Sequence, residues 1–335
     1  MSSKVGWGIH GQTQISLLRT TDGGKTWKTV TPTGVLMRHH GTDFISGTDA
    51  WIAASPNIQS GITMVMNTTD GGLQWTKHQL PDVGASARVD FLTNSDGWVL
   101  LGFGVSAGHA PAMLLETTDG GAKWMVLGDM RYGASPKLAI LPHYAGADDV
   151  SFSTSQNGWI TNSTVDNSGA LQFYATHDGG RHWAPQNLPG LRSLPAGATV
   201  ATPPTFFTSE TGAFFVCVGL GDSLADRQSV VQYYETHNGG QTWVPGTTVK
   251  INGPTDCGSS VGFSDASDGW VAGRTNLYTT SNAGRTWKTV QPNINLGTTL
   301  KTLDFVGIHG WAIGHSSFPR LWVSSNGGST WAVLS

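Results

Sequence analysis

Four kinds of side chain in this sequence have the chemistry for a site, and each asks for a different geometry. Two pairs of aspartates, Asp148/Asp149 and Asp222/Asp226, supply the two carboxylates that an inverting glycoside hydrolase sets on either side of a sugar bond. Arg38 and Arg88 carry planar guanidinium forks that bind carboxylate or phosphate bidentately. His39 and His40 invite a reading as ligands for zinc or copper, which need three or four converging donors. Tyr132, Tyr144 and Trp322 offer aromatic faces for a sugar ring.

Several of these chemistries fail on their own terms. His39 and His40 are adjacent, so on a strand they point to opposite faces, and the eleven histidines share no register. No metal and no other cofactor is expected. Residues 258–262, GSSVG, fit the G-x-S-x-G pattern and are followed by Asp268 and His309 in hydrolase order. That nucleophile needs a strand–turn–helix setting, whereas this segment leads into a strand. Residues 102–108, GFGVSAG, likewise lack the helix N-terminus that would hold a phosphate.

What positions these residues is an internal repeat. The octet TTDGGKTW at 20–27 returns with its tryptophan at Trp75, Trp124, Trp183, Trp243, Trp287 and Trp331, 44 to 60 residues apart. In each copy an Asp or Asn (Asp22, Asp70, Asp119, Asp178, Asn238, Asn282, Asn326) is placed to accept nearby backbone N–H groups. The two glycines that follow supply positive φ. Strand-like runs such as AMLLETT precede each turn, so every octet is predicted to be a hairpin.

A second motif runs in phase with the first. Phe44, Phe91, Phe152, Phe207 and Phe263 each precede another aromatic (Trp51, Trp98, Trp159, Phe214, Trp270) by seven residues, and Phe305 precedes Trp311 by six. Two hairpins per unit give strands A to D, and seven units predict an all-β, seven-bladed propeller with four antiparallel strands per blade. The predicted blades span approximately 1–32, 39–80, 88–128, 147–189, 203–246, 259–291 and 302–335 of one domain. Trp7 matches the strand-B aromatic, so blade 1 is expected to lack part of its inner strand or to be three-stranded.

The A–B and C–D turns are nearly constant in length, while the B–C and D–A connections vary, as at 102–112, 128–149 and 219–229. Loops that grow on a fixed scaffold are where binding resides. The candidate face is therefore the B–C/D–A end, with Arg38, His39, Arg88, His109, Arg131, Tyr132, His143, Tyr144, Asp148, Asp222 and Arg227. Arg38 and Arg88 are expected just before inner strands. Surface-loop roles for these residues remain the alternative.

Composition narrows the partners. Only 12% of the 335 residues are charged and the net charge is −3, with no basic run, which argues against nucleic acid. No apolar stretch approaches the roughly 20 residues of a membrane span. The absent half-strand suggests a longer precursor cleaved after a targeting segment, hence an exported, extracellular or envelope protein, expected to be monomeric. Cys217 and Cys257 are either a disulfide or two buried thiols.

The recurring S/T-x-D/N-G-G-x-T-W octet, with its "DGW" strand, resembles the Asp-box or BNR repeat over the whole chain. It is most similar to the photosystem II assembly-factor-like propellers. The resemblance implies that the boxes are structural. A sialidase-like mechanism would want a Tyr–Glu pair, but of the three glutamates Glu116 and Glu235 precede boxes and Glu210 lies in an A–B turn. The expected function is a non-catalytic scaffold that binds a protein or peptide on the B–C/D–A face. A carbohydrate-active propeller, lectin-like or Asp-based, is the alternative.

Overall fold

The computed structural model describes residues 4–10, 15–57, 59–104, 111–131, 149–162, 171–195, 197–220, 228–252, 261–273, 275–294, 300–314 and 321–333. These form the antiparallel sheets of a seven-bladed β-propeller. Blade 1 has three strands, β1 (Gly6–His10), β2 (Ser16–Thr20) and β3 (Lys28–Thr29). Blade 2 holds β4 (Leu36–Phe44), β5 (Ala50–Ser55), β6 (Ile62–Thr68) and β7 (Thr76–Gly84). Blade 3 holds β8 (Ser86–Phe91), β9 (Gly97–Gly102), β10 (Ala112–Thr117) and β11 (Met125–Asp129). Blade 4 holds β12 (Asp149–Phe152), β13 (Gly158–Asn162), β14 (Gln172–Thr176) and β15 (Ala184–Pro185).

In blade 5 the first strand is split into β16 (Ala198–Ala201) and β17 (Thr205–Phe206), both paired with β18 (Gly212–Leu220); β19 (Gln228–Thr236) and β20 (Val244–Asn252) complete it. The break falls where Pro203 and Pro204 remove two ladder donors. Blade 6 comprises β21 (Val261–Phe263), β22 (Asp268–Ala272), β23 (Leu277–Ser281) and β24 (Lys288–Val290). Blade 7 comprises β25 (Leu300–Val306), β26 (His309–Gly314), β27 (Leu321–Ser324) and β28 (Ala332–Val333). The chain forms two compact units, Met1–Thr161 with Tyr174–Pro185, and Asn162–Phe173 with Gln186–Ser335.

All seven octets fold into the same turn. The Thr or Ser hydroxyl donates to the Asp/Asn Oδ1 at 2.8–3.1 Å and accepts the second glycine's N–H at 2.8–3.0 Å. The same Oδ1 accepts the N–H four residues on, at 2.9–3.0 Å. The first glycine's N–H reaches a carbonyl beside the second strand of its own blade, as Gly120 to Ser95 at 3.0 Å and Gly179 to Gln156 at 2.9 Å. The box thus ties the C–D turn to the A–B turn. Ala283 stands at the first-glycine position of blade 6 with φ 56°, a conformation that costs an L-residue energy.

Aromatic rings join neighbouring blades. Trp51 stacks on Phe91 at 3.8 Å and Trp98 on Phe152 at 3.7 Å, both within 6° of parallel. The box tryptophan of the same blade meets that phenylalanine edge-on, Trp124 on Phe91 at 6.5 Å and Trp183 on Phe152 at 6.1 Å. Each such contact adds about 0.5–1.5 kcal/mol beyond area burial. Blade 5 departs from the expected pairing by one residue. Phe206, not Phe207, faces Gly212 as Phe91 faces Gly97. Ala213 then takes the tryptophan's place, and Phe215, two residues on and on the same face, stacks on Phe263 at 4.5 Å.

Candidate functional site

The first strands of blades 2 to 4 carry a lane of charged side chains. Period-two alternation puts Arg88 and Asp90 on one face of β8. Asp43 on β4 accepts the Phe91 N–H at 2.7 Å, and Asp90 accepts the Phe152 N–H at 2.7 Å. Each aspartate therefore bridges its strand to the first strand of the next blade. At the start of β12, Asp149 faces Arg88, with Oδ2 3.7 Å from Nε. That is an ion pair but not a hydrogen bond, and the buried Arg88 Nε has no hydrogen-bond partner.

Burial sets the protonation of the lane. It pushes the Asp43 carboxyl up to about 6, against the pull of the Phe91 and Phe44 N–H groups. Asp90 is raised well above the carboxylate range, first by burial and then by the charge of Asp43; the Phe152 N–H opposes this and Asp149 adds to it. Such a carboxyl favours its neutral form. Among the described residues no three His, Cys, Asp or Glu side chains converge as a metal site would require.

Arg131, expected on the candidate face, is already engaged by two carboxylates. Its Nε reaches both oxygens of Asp129 at 3.0 and 3.2 Å, Nη2 reaches Asp129 Oδ2 at 2.7 Å, and Nη1 pairs with Asp82. The guanidinium carbon lies 4.5 Å from the Phe103 ring centroid. Burial pushes the Asp129 carboxyl up, but the bonds and charge of Arg131 outweigh it and hold it below its usual range. Asp82 lies on β7 and Asp129 on β11, so this group latches the last strands of blades 2 and 3.

Of the expected face residues, the structure brings Arg88 together with Asp149 and sets Arg131 apart in its latch. Arg38 and His39, with His40, lie within β4, and Arg88 within β8, rather than before those strands. The side chains of Arg38, His39 and His40 lie outside the described ones, as do residues His109, Tyr132, His143, Tyr144, Asp148, Asp222, Asp226, Arg227 and Cys257. Cys217 is disulfide-bonded, and Cys257 is the chain's other cysteine. Sequence reasoning missed Asp43 and Asp90, although the Asp-Phe dipeptide recurs at 43–44, 90–91 and 304–305.

The glutamates are engaged at the box end. Glu116 pairs with Arg181 of the next box at 3.6 Å, and Glu235 with Arg285 at 3.5 Å and His237 at 3.4 Å. The Glu210 carbonyl receives the Gly239 N–H.

No family profile and no curated protein matches this sequence. Among solved structures, the chain is similar to YCF48 bound to a D1 peptide, with a TM-score of 0.52 and 19% identity over 89% of this chain and 83% of that one. It is also similar to an oligogalacturonate lyase in complex with manganese (0.59, 12%, covering 93% and 82%). A third likeness is an ancestral GH74 enzyme (0.50, 11%), which covers 97% of this chain and 44% of that one. At these identities the likeness shows a common fold. None of the described helices is long and apolar enough to cross a membrane.

Proposed function

We propose that this chain is a non-catalytic binding propeller of the Asp-box or BNR type, which takes a protein or peptide partner on the B–C/D–A face. The observation that carries the reading is the under-bonded guanidinium of Arg88. It holds one ion pair at 3.7 Å and a buried Nε without a hydrogen-bond partner. An incoming carboxylate would complete its fork. The peptide ligand of YCF48, a likeness in fold, is consistent with this reading. The disulfide at Cys217 supports an oxidising, exported setting, and we take the working form to be a monomer.

Panning a phage-displayed peptide library on the immobilised protein tests this. We expect acidic peptides to be enriched, with capture falling at least about tenfold in Arg88→Ala and persisting in Arg181→Ala at the box end. Enrichment that survives Arg88→Ala but is lost with Arg181→Ala would refute the assigned face.

One observation favours the carbohydrate-active alternative. Asp90 holds its proton readily, as a general acid must. A glycan library read for retention and cleavage decides it: cleavage abolished by Asp90→Asn would replace the scaffold reading. Retention without cleavage would mark a lectin-like role.

A further inference from the structure

We propose that the ligand carboxylate received by Arg88 is bound together with a proton on Asp90, so that acidic ligands are held at mildly acidic pH and released as pH rises. This rests on the reading of Arg88 as the ligand's anchor, and it adds a second donor and a release mechanism to that site.

The charges around Arg88 give the reason. Arg88 and Asp90 lie on one face of β8, two residues and roughly 6.5 Å apart along the strand. Asp149, at the start of β12, has its Oδ2 3.7 Å from Arg88 Nε. Asp43 reaches from β4 to the Phe91 N–H, next to Asp90 in the chain. Three carboxyls thus share one guanidinium. β5 and β9 also pack on β8 and contribute no titratable side chain. β4 further carries Arg38, His39 and His40, whose side chains lie outside the described ones. With all three carboxyls ionised, an incoming carboxylate would meet three negative charges against one positive. Proton uptake removes that repulsion.

Asp90 is the carboxyl placed to hold the proton. Among the described residues its one hydrogen bond enters Oδ2, from the Phe152 N–H at 2.7 Å. Oδ1 is therefore the oxygen that can carry a proton and donate it on the face shared with Arg88. Burial first, then the charges of Asp43 and Asp149, favour the protonated form against the pull of the Phe152 N–H. Burial likewise lifts the Asp43 carboxyl to about 6. Arg88 and Asp90 are half-buried rather than sealed off, so a ligand can reach both. An O–H donated to a carboxylate is a charge-assisted bond, roughly twice as strong as a neutral one.

The direction of the pH response follows. At mildly acidic pH, protons on Asp43 and Asp90 leave Asp149 balanced by Arg88, and the ligand finds a guanidinium fork and an O–H donor. As pH rises and those protons leave, the Asp90 donor becomes an acceptor and like charges face the ligand. By linkage, a bound carboxylate in turn favours the proton on Asp90.

Rhodamine-labelled hexa-aspartate is the probe, read by fluorescence anisotropy, because its carboxylates stay ionised from pH 5.5 to 8. We expect wild type to bind it at pH 5.5 and about tenfold more weakly at pH 8. Arg88→Ala should lose binding at both values. Asp90→Asn keeps an oxygen for the Phe152 N–H and offers permanent amide donors. It should bind at pH 8 as wild type does at pH 5.5, and Asp43→Asn should strengthen binding at pH 8 severalfold. A gain of binding cannot come from misfolding. Wild-type binding that is equal at both pH values, or tighter at pH 8, would overturn the proton-coupled proposal and leave Arg88 as the anchor. So would a pH response that persists in Asp90→Asn, which would assign the titration to the histidines. Binding absent at both pH values, or unaffected by Arg88→Ala, would overturn the Arg88 reading and this proposal with it.

Discussion

Aspartates at two places in the blades titrate in opposite directions. In the box turns, Asp22 is drawn down to about 2, chiefly by the Thr26 hydroxyl and backbone N–H. Asp178 is also held near 2: burial pushes it up, but the bonds and charge of His182 and the Thr176 hydroxyl together outweigh it. On the first strands, burial lifts Asp43 to about 6 and raises Asp90 as well. The residue type is constant, so the difference lies in water and donors. A box carboxylate sits in solvent with several donors closing a local ring. A lane carboxylate has one backbone donor from a neighbouring blade, joined at Asp43 by the Phe44 N–H, in a place poor in water. The box end is built to be invariant, whereas the lane stores unfavourable charge. Stored charge of that kind is what binding and acid–base sites share.

The largest effect should come from breaking a box turn. Gly121 has φ 82°, and a Cβ there would come 2.8 Å from the His78 ring. Gly121→Val forces both a left-handed β-branched residue and a clash, and should cost about 3 kcal/mol in urea denaturation. A cost below about 1 kcal/mol would mean that the turn is not the rigid element described above.

Asp43→Asn addresses the other side of the contrast and should act with the opposite sign. The folded carboxyl titrates near 6 rather than at the ordinary 3.8. Its contribution is therefore fully present below about pH 4, is lost as pH rises through 6, and is a constant penalty above that. Asparagine keeps an oxygen for the Phe91 N–H and carries no charge. The variant should be more stable by about 2 kcal/mol at pH 7.5 and indistinguishable from wild type at pH 3.5. Paired melts at the two pH values check this; equal melting temperatures at pH 7.5 would show that Asp43 is solvated.

These two ends also differ in how legible they were. The box turn is written in eight consecutive residues, so Thr117, Asp119 and Gly121 can be read together, and the seven-bladed fold follows from their repetition. The lane is made by partners far apart in sequence. Asp43 meets Phe91 48 residues on, and Arg131 meets Asp82 49 residues back. No local pattern announces such pairs, so Arg131 reads only as a residue of the candidate face and Asp43 as nothing at all. The Asp-Phe dipeptide was the available signal, and its meaning emerges only when blades stand side by side. Blade 5 shows the complementary error: a seven-residue spacing favoured Phe207, but pairing with Gly212 selects Phe206.

Arg131→Met tests whether the outer latch belongs with the invariant end or with the lane. Methionine retains an apolar stem over Phe103 but leaves Asp129 half-buried without its cation. The expected loss is about 1–2 kcal/mol near neutral pH. Because Arg131 depresses the Asp129 carboxyl, wild type itself loses this contribution as pH falls and Asp129 protonates. The difference between variant and wild type should therefore shrink on acidification. A pH-independent difference would assign the effect to packing on Phe103 rather than to the ion pairs.

The smallest prediction separates backbone strain from packing within the boxes themselves. Gly327 has φ 66°, and a Cβ there would meet nothing within 4 Å. Gly327→Ala thus adds only left-handed strain, offset by a less flexible unfolded chain, and should cost about 1 kcal/mol. Blade 6 has made the same change naturally: Ala283 adopts φ 56° at that position, donates to the Ser267 carbonyl at 2.9 Å, and packs its methyl on the blade 5–6 core. Ala283→Gly should relieve the strain but lose that packing and gain unfolded-state entropy, leaving stability within about 0.5 kcal/mol of wild type. If both substitutions shift the melting temperature equally and oppositely, strain alone governs the turn. If only Gly327→Ala does, the box tolerates alanine where a neighbouring core repays it, which explains why the motif has loosened in blade 6 without the turn being lost.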